Sequence, residues 1–228
     1  LLQLHKIIKP GINELDIASF CENYMLIRNA VPILKTEKIY PYCILISKNN
    51  IAFHGIPENY ILQDGDLVTV DVVLQKNGWF GDGAWTYIVG SCSSDLTKMV
   101  SFANDLIYKA VDSLKETLNL NIIGNIIEKE CKKNNFRVLK EGAGHGIGQS
   151  IHEEPQISFN GESESIPLQT GMVFTIEPVI TNSTLPLEYD HYGTAYLDVD
   201  SYAVQFEHMV AVNDWGIEIL TERKPFFK

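Results

Sequence analysis

The sequence has no uninterrupted apolar run near the roughly 18 residues needed to cross a bilayer, and its opening does not read as a secretion signal. These absences lead us to expect a cytoplasmic protein with no membrane partner. Positive charge is scarce: 18 Lys and Arg stand against 29 Asp and Glu, a formal net charge of -11. With no basic block to offset it, that balance argues against nucleic acid as a partner. Cysteine is scarce too. The four (Cys21, Cys43, Cys92 and Cys131) lie far apart without a C-x-x-C pair, so they read as reduced thiols rather than as a disulfide or zinc framework. No low-complexity linker divides the chain. It opens at Leu1 rather than at a methionine, and we expect further sequence ahead of it. What is plentiful is apolar residues, 45% of 228, enough for a sizeable core in one large domain or two small ones.

Within this ordinary composition the chain repeats itself. "LQDGDLVTVDVV" at 62–73 returns as "LQTGMVFTIEPV" at 168–179. Each copy runs from Leu-Gln and a glycine into an apolar stretch that carries one carboxylate at the same place, Asp71 or Glu177. A second echo precedes each: "FHGIP" with His54 and "IHEEP" with His152, both His-x-x-Pro. The helical stretch "GINELDIASFCENYM", with Asn13 placed to cap it, is matched by "NIIGNIIEKECKK". A further amphipathic helix, apolar at Phe102, Leu106, Ala110, Val111 and Leu114, joins the halves. Strand-like segments follow the flanking helices: "CILIS" and "NIAFHG" in the first half, "FRVLKEG" and a glycine-rich run in the second. The order predicts an α+β fold with a largely antiparallel sheet, helices on one face, and two halves related by a pseudo-twofold axis.

Each half supplies a second acid. Asn77-Gly78 is a strong hairpin turn signal, and counting back from it puts Asp82 opposite Val73, diagonal to Asp71 on one face. Gly81 and Gly83 leave room for a bulge that draws the two acids closer. In the second half Glu207 sits within the alternating strand "YAVQFEHMVAV". Any one of the four acids reads most simply as part of a solvated strand face. Asp71 and Glu177, however, fall inside the most apolar windows of the chain with no Lys or Arg in those strands, and a buried carboxylate needs a partner. Divalent cations meet that need, because they neutralise crowded carboxylates and take their oxygens as ligands. His145, among the glycines of "GAGHGIGQSIHEEP", adds an imidazole. That run lacks the spacing of a phosphate loop, and no H-E-x-x-H motif is present. One imidazole with carboxylates leaves Mn, Fe, Co and Zn all admissible.

In this order and at these intervals, "AFHGIP", "VTVDVV", "FGDGAW", "GAGHGIGQSIHEEP", "VFTIEP" and "QFEHMVAV" resemble the type I methionine aminopeptidases. The likeness runs from "KPGINELDIASFCENYM" to "EILTERK". It implies the pita-bread fold, with duplicated α/β halves around a curved antiparallel sheet, as a single catalytic domain over 1–228. It also implies a monomer acting on the N-terminal peptide of nascent proteins when the second residue is small. Five ligands to two divalent metal ions follow from the resemblance: Asp71, Asp82, His145, Glu177 and Glu207, with Asp82 and Glu207 bridging. His54 and Tyr40 would contact substrate. His152 would hydrogen-bond the reacting carbonyl, and Glu177 would carry the proton.

A dimetal site of this kind lowers the pKa of a bridging water and yields a hydroxide nucleophile. Prolidases and aminopeptidases P share the five ligands, but "FEHMVAV" and "FHGIP" match the methionine enzymes. A binding module that has lost its metal is the other alternative, and here all five ligands are present. One region departs from the family: the usual pocket Trp before the last acid strand is absent from "EYDHYGTAYLDVDSYAVQFEH", where Tyr192 and Tyr196 stand nearby. A pocket cysteine is replaced by Leu45, with Cys43 two places away.

Overall fold

A computed structural model describes residues 1–161 and 165–222. The first half holds α1 (Glu14–Leu26), α2 (Ile33–Thr36) and six strands: β1 (Leu45–Lys48), β2 (Ile51–Phe53), β3 (Leu67–Asp71), β4 (Leu74–Lys76), β5 (Trp79–Gly81) and β6 (Ala84–Ile88). Two helices follow, α3 (Ser94–Thr117) and α4 (Asn121–Lys133). The second half begins with β7 (Arg137–Val138), β8 (Ala143–Gly146), β9 (Glu153–Ser158), β10 (Val173–Ile176) and β11 (Val179–Thr181). It continues through β12 (Glu188–Tyr189), β13 (Ala195–Tyr196), β14 (Ala203–Gln205), β15 (His208–Asn213) and β16 (Gly216–Ile219).

All the strand pairings described are antiparallel, and β1-β3-β6 in the first half is answered by β16-β15-β10-β8-β9 in the second. The shorter ladder β14-β11-β7 belongs to the second half, while β12-β13-β2 carries a first-half strand into it. The expected helices form where periodicity placed them. Asn13 caps α1 by accepting from the Leu15 N–H at 2.9 Å. Helix α3 buries Met99, Ala103, Leu106, Ile107, Ala110 and Leu114 along one stripe. It packs on α4, and both press against strands of the second half. One continuous apolar cluster contains Ile17, Trp85, Leu106, Ile123, Phe174 and Phe206, so both halves share it.

The hairpin is built on Asn77 and Gly78, both at positive φ (54° and 83°), the conformation a two-residue primed turn requires. Lys76 pairs with Trp79 and Leu74 with Gly81, and the same register continues to Asp71 opposite Ala84. No residue is inserted, so the expected bulge is absent. Instead the ladder opens at Val73 and Asp82, where the Asp82 N–H turns to the sulfur of Met209 at 3.3 Å.

The halves are fastened beside that opening. Thr86 Oγ1 donates to the Gln205 carbonyl and accepts from the Gln205 N–H, both at 2.9 Å. Having spent its one hydrogen, it must accept from the Thr69 hydroxyl 2.7 Å away. Two residues on, the Glu207 N–H donates to the Ala84 carbonyl at 3.0 Å.

A second fastening holds the segment that carries His54. Glu14, in the first turn of α1, is buried; its Oε2 accepts from the Glu58 N–H at 2.9 Å and its Oε1 lies 3.2 Å from Lys48 Nζ. The Lys48 ammonium also sits 3.6 Å from the centre of the Tyr60 ring. We expect Glu14→Ala to destabilise the protein by about 3 kcal/mol, the lower end for stripping a buried ion pair of one partner, because Lys48 keeps some solvent. A urea unfolding series reads this, and an unchanged midpoint would show that the pair contributes nothing.

Candidate metal centre

The four acids do not lie in strand interiors, as the apolar windows led us to expect. Asp71 closes β3, Glu177 falls between β10 and β11, and Glu207 falls between β14 and β15. Asp82 lies in the gap between β5 and β6. The physical reason is common to all four. A strand inside a ladder points alternate side chains away from each other, whereas a break lets the chain turn its carboxylate inward. The solvated-face reading fails for Asp82 and Glu207, which are 9% and 2% exposed, while Asp71 and Glu177 are half-buried and line a cleft.

The breaks bring the acids together. Carboxylate oxygens of Asp71, Asp82 and Glu207 all lie within 4.8 Å of one another. His145 joins from β8, with its Nε2 3.4 Å from Glu177 Oε1 and 4.0 Å from Asp82 Oδ2. The approach of β8 depends on glycine. A Cβ on Gly144 would lie 2.3 Å from the Thr175 carbonyl oxygen, and one on Gly146 would lie 2.2 Å from that of Glu154. These glycines serve strand packing, and no phosphate loop is formed. All five expected ligands, with Tyr40, His54 and His152, line one cleft of about 860 Å³.

The imidazoles are set for different work. His145 Nδ1 lies 2.9 Å from the Gly146 carbonyl. A carbonyl only accepts, so Nδ1 carries the proton and the neutral ring turns its Nε2 lone pair toward the acids. Burial holds the His145 pKa below its ordinary value, against the raising effect of that carbonyl bond. His152 is exposed at the cleft wall, its ring edge-on to His145 with centroids 4.4 Å apart. His54 adopts a left-handed backbone, φ 58°. Its ring packs near Phe53 and Tyr40, with centroids 5.1 and 6.0 Å away.

The model of metallopeptidase family M24 matches residues 1–214. The chain belongs to metallopeptidase family M24. Its relatives place it in the methionine aminopeptidase branch. It is 34% identical over 222 residues to methionine aminopeptidase 1 of Bacillus subtilis, covering 96% of this chain and 89% of that one. Two crystal structures superpose closely. Methionine aminopeptidase from Rickettsia prowazekii gives a TM-score of 0.91 at 30% identity, covering 96% of this chain and 90% of that one. The Thermotoga maritima enzyme gives 0.92 at 29% identity, covering 98% and 91%. The expected pita-bread fold is therefore the fold of this M24 chain.

M24 membership carries dependence on a divalent metal, and the residues here fit one. Burial pushes the Asp71 carboxyl up to about 7. Glu177 rises to about 8 by burial, helped by the Asp71 charge and opposed by the Thr175 hydroxyl. Asp82 is held well above its ordinary value by burial, then by the charges of Asp71 and Glu177. Asp71 Oδ1 is buried with no hydrogen-bond partner among the described residues. Lone pairs of His145 Nε2 and Glu177 Oε1 face each other. Acceptors crowded in this way answer to a cation rather than to one another.

Sequence reading missed the groups that hold the acids. Thr175 Oγ1 lies 2.7 Å from Glu177 Oε1, and Gln205 Nε2 donates to the Glu177 carbonyl at 3.2 Å. One signal was available: "VTVD" and "FTIE" both carry a threonine two places before the acid. The tyrosines near the missing Trp do not complete the cleft. Tyr192 is exposed against His191, while Tyr196 sits in β13 with its hydroxyl 3.4 Å from Asp190. Neither lines the cleft. The segment between β11 and β14 turns both toward its own surface.

These shifts set the pH behaviour of the metal-free M24 chain. Asp71 and Glu177 bind protons more tightly folded than unfolded. Their contribution is therefore complete below about pH 4 and is lost as pH rises through about 7 and 8. We expect the Tm of metal-free protein to fall between pH 5 and 8, and added divalent metal to restore it most at pH 8. A metal-free Tm that rises across that interval would contradict the clustering of unneutralised acids.

Proposed function

We propose that this protein removes the N-terminal methionine from polypeptides whose second residue is small. Two divalent ions drawn from Mn, Fe, Co and Zn would be held by Asp71, Asp82, His145, Glu177 and Glu207. The observation that carries the reading is the convergence of those five side chains in one cleft that His54 and His152 also line. When bound, the metal ions supply a water made acidic enough to attack at neutral pH and a positive charge for the substrate's oxygen and free amine.

The protein's own groups do the remaining work. Glu177, which lines the cleft beside His145, accepts the proton of the attacking water and returns it to the leaving amine. His152, edge-on to His145 and open to the cleft, donates to the carbonyl oxygen as negative charge develops there. His54, kept uncharged by burial, contacts the substrate backbone as a neutral partner. The methionine side chain lies against Leu34, Ile39, Tyr40, Leu45, Val73 and Ile151, an apolar wall of the same cleft. Asp71, Asp82 and Glu207 keep their place at strand ends and breaks and His145 within β8, rather than on long loops.

Two measurements test this. His152→Ala is expected to retain the metal stoichiometry of the wild type and to lose about 10²–10³ in kcat, the range for one oxyanion donor; loss of metal would make His152 a ligand instead. Because neither Tyr192 nor Tyr196 closes the pocket, discrimination of Met-Ala over Leu-Ala peptides should be below about tenfold in kcat/KM, the low end for one altered methylene. Preferred turnover of Xaa-Pro peptides would replace the methionine reading with a prolidase-type one. Absence of turnover despite bound metal would favour a binding module.

A further inference from the structure

Thr175 is wholly buried on β10, two residues before Glu177. Its Oγ1 lies 2.7 Å from Glu177 Oε1 and 3.0 Å from the main-chain nitrogen of His145. An N–H can only donate, so the hydroxyl oxygen accepts from His145 and its single hydrogen is committed to the carboxylate. The bond has one direction and one partner. It also joins β8 to β10 at the point where each delivers a candidate ligand.

We propose that Thr175 is a positioning residue that presets the Glu177 carboxylate against His145, so that the two present themselves to one cation in a fixed relation. This rests on the reading of the five residues as a metal centre. A glutamate beyond a strand end has three side-chain torsions to order. One directed hydrogen bond to Oε1 removes most of that freedom and leaves Oε2 outside the bond.

The other half of the molecule shows that the arrangement is particular to this acid. Thr69 precedes Asp71 by the same two places, yet its hydroxyl goes to Thr86 at 2.7 Å. The second copy thus holds an acid tied to a threonine of the strand before it, whereas in the first copy Asp71 Oδ1 has no hydrogen-bond partner among the described residues.

Calorimetric titration of Mn²⁺ into metal-free protein tests the proposal without reference to turnover. Thr175→Val keeps the shape and removes the hydroxyl, and should weaken Mn²⁺ binding about 10–100-fold, the range for losing a group that orients a ligand. Thr175→Ser keeps the hydroxyl and should bind near the wild-type affinity. Thr69→Val removes the sister hydroxyl and should lower Tm while leaving Mn²⁺ affinity in place. Folded Thr175→Val protein that binds as tightly as wild type overturns the proposal, and so does an equal loss in Thr69→Val. If Thr175→Val does not fold, a large loss of affinity in Thr175→Ser still overturns it, because the methyl group would then be what matters. Wild-type protein that takes up no Mn²⁺ overturns the metal-centre reading itself, and this inference with it.

Discussion

Four carboxylates brought into one buried cleft repel each other, and much of the surrounding architecture answers that constraint. Burial alone pushes Asp71, Asp82 and Glu177 upward, and their mutual charges push Asp82 and Glu177 further. An apolar core of ordinary quality would expel such a cluster, since an ionised carboxylate loses several kcal/mol of hydration on burial. Here the acids are held by covalent continuity with strands whose other residues are committed to the core. β3 is buried at Leu67, Val68, Thr69 and Val70 before it reaches Asp71, and β10 is buried at Phe174, Thr175 and Ile176 before Glu177. The stabilisation of the strands opposes the repulsion of their ends, and a cation relieves what remains.

The two halves meet this constraint with different polar devices. In the first, the threonine before the acid is used to lock one sheet to the other through Thr86 and Gln205. In the second, the corresponding threonine turns to the acid itself. A duplicated sequence has thus kept its apolar skeleton while its buried hydroxyls took up unlike partners. Hydroxyls of this kind are sensitive to small changes, because one hydrogen can satisfy only one acceptor at a time.

Much of this was legible in the residues. The helices could be read because Asn13 caps and the apolar spacing at Leu106, Ala110 and Leu114 are local properties of the chain. The hairpin could be read because Asn77-Gly78 demands positive φ and sets the register outward from itself. The repeat and the cost of burying a lone carboxylate pointed to a cation beside Asp71 and Glu177, while the full set of five candidate ligands came from the resemblance to a family. What could not be read was where the strands stop. The alternation through "YAVQFEHMVAV" continues across Glu207, and the chain departs from it because Glu207 N–H finds Ala84, a partner 123 positions away in sequence. Roles of Thr175 and Gln205 were hidden for the same reason: a hydroxyl or amide declares its partner only once distant strands are side by side. The tyrosines failed as pocket walls because their loop packs on itself, which composition does not express.

The unbroken register of the β4–β5 hairpin has a consequence for what changes this region tolerates. Pairing from Lys76–Trp79 at the turn to Leu67–Ile88 at the far end keeps one count. In that count, deleting or inserting a single residue between the turn and Asp82 would exchange its position with that of a glycine, Gly81 or Gly83. The carboxylate would then lose its place at the opening opposite Val73. Lineages descending from this sequence are therefore free to vary the exposed tip in steps of two, one residue on each arm. They are barred from steps of one, so length variation in this hairpin should be even.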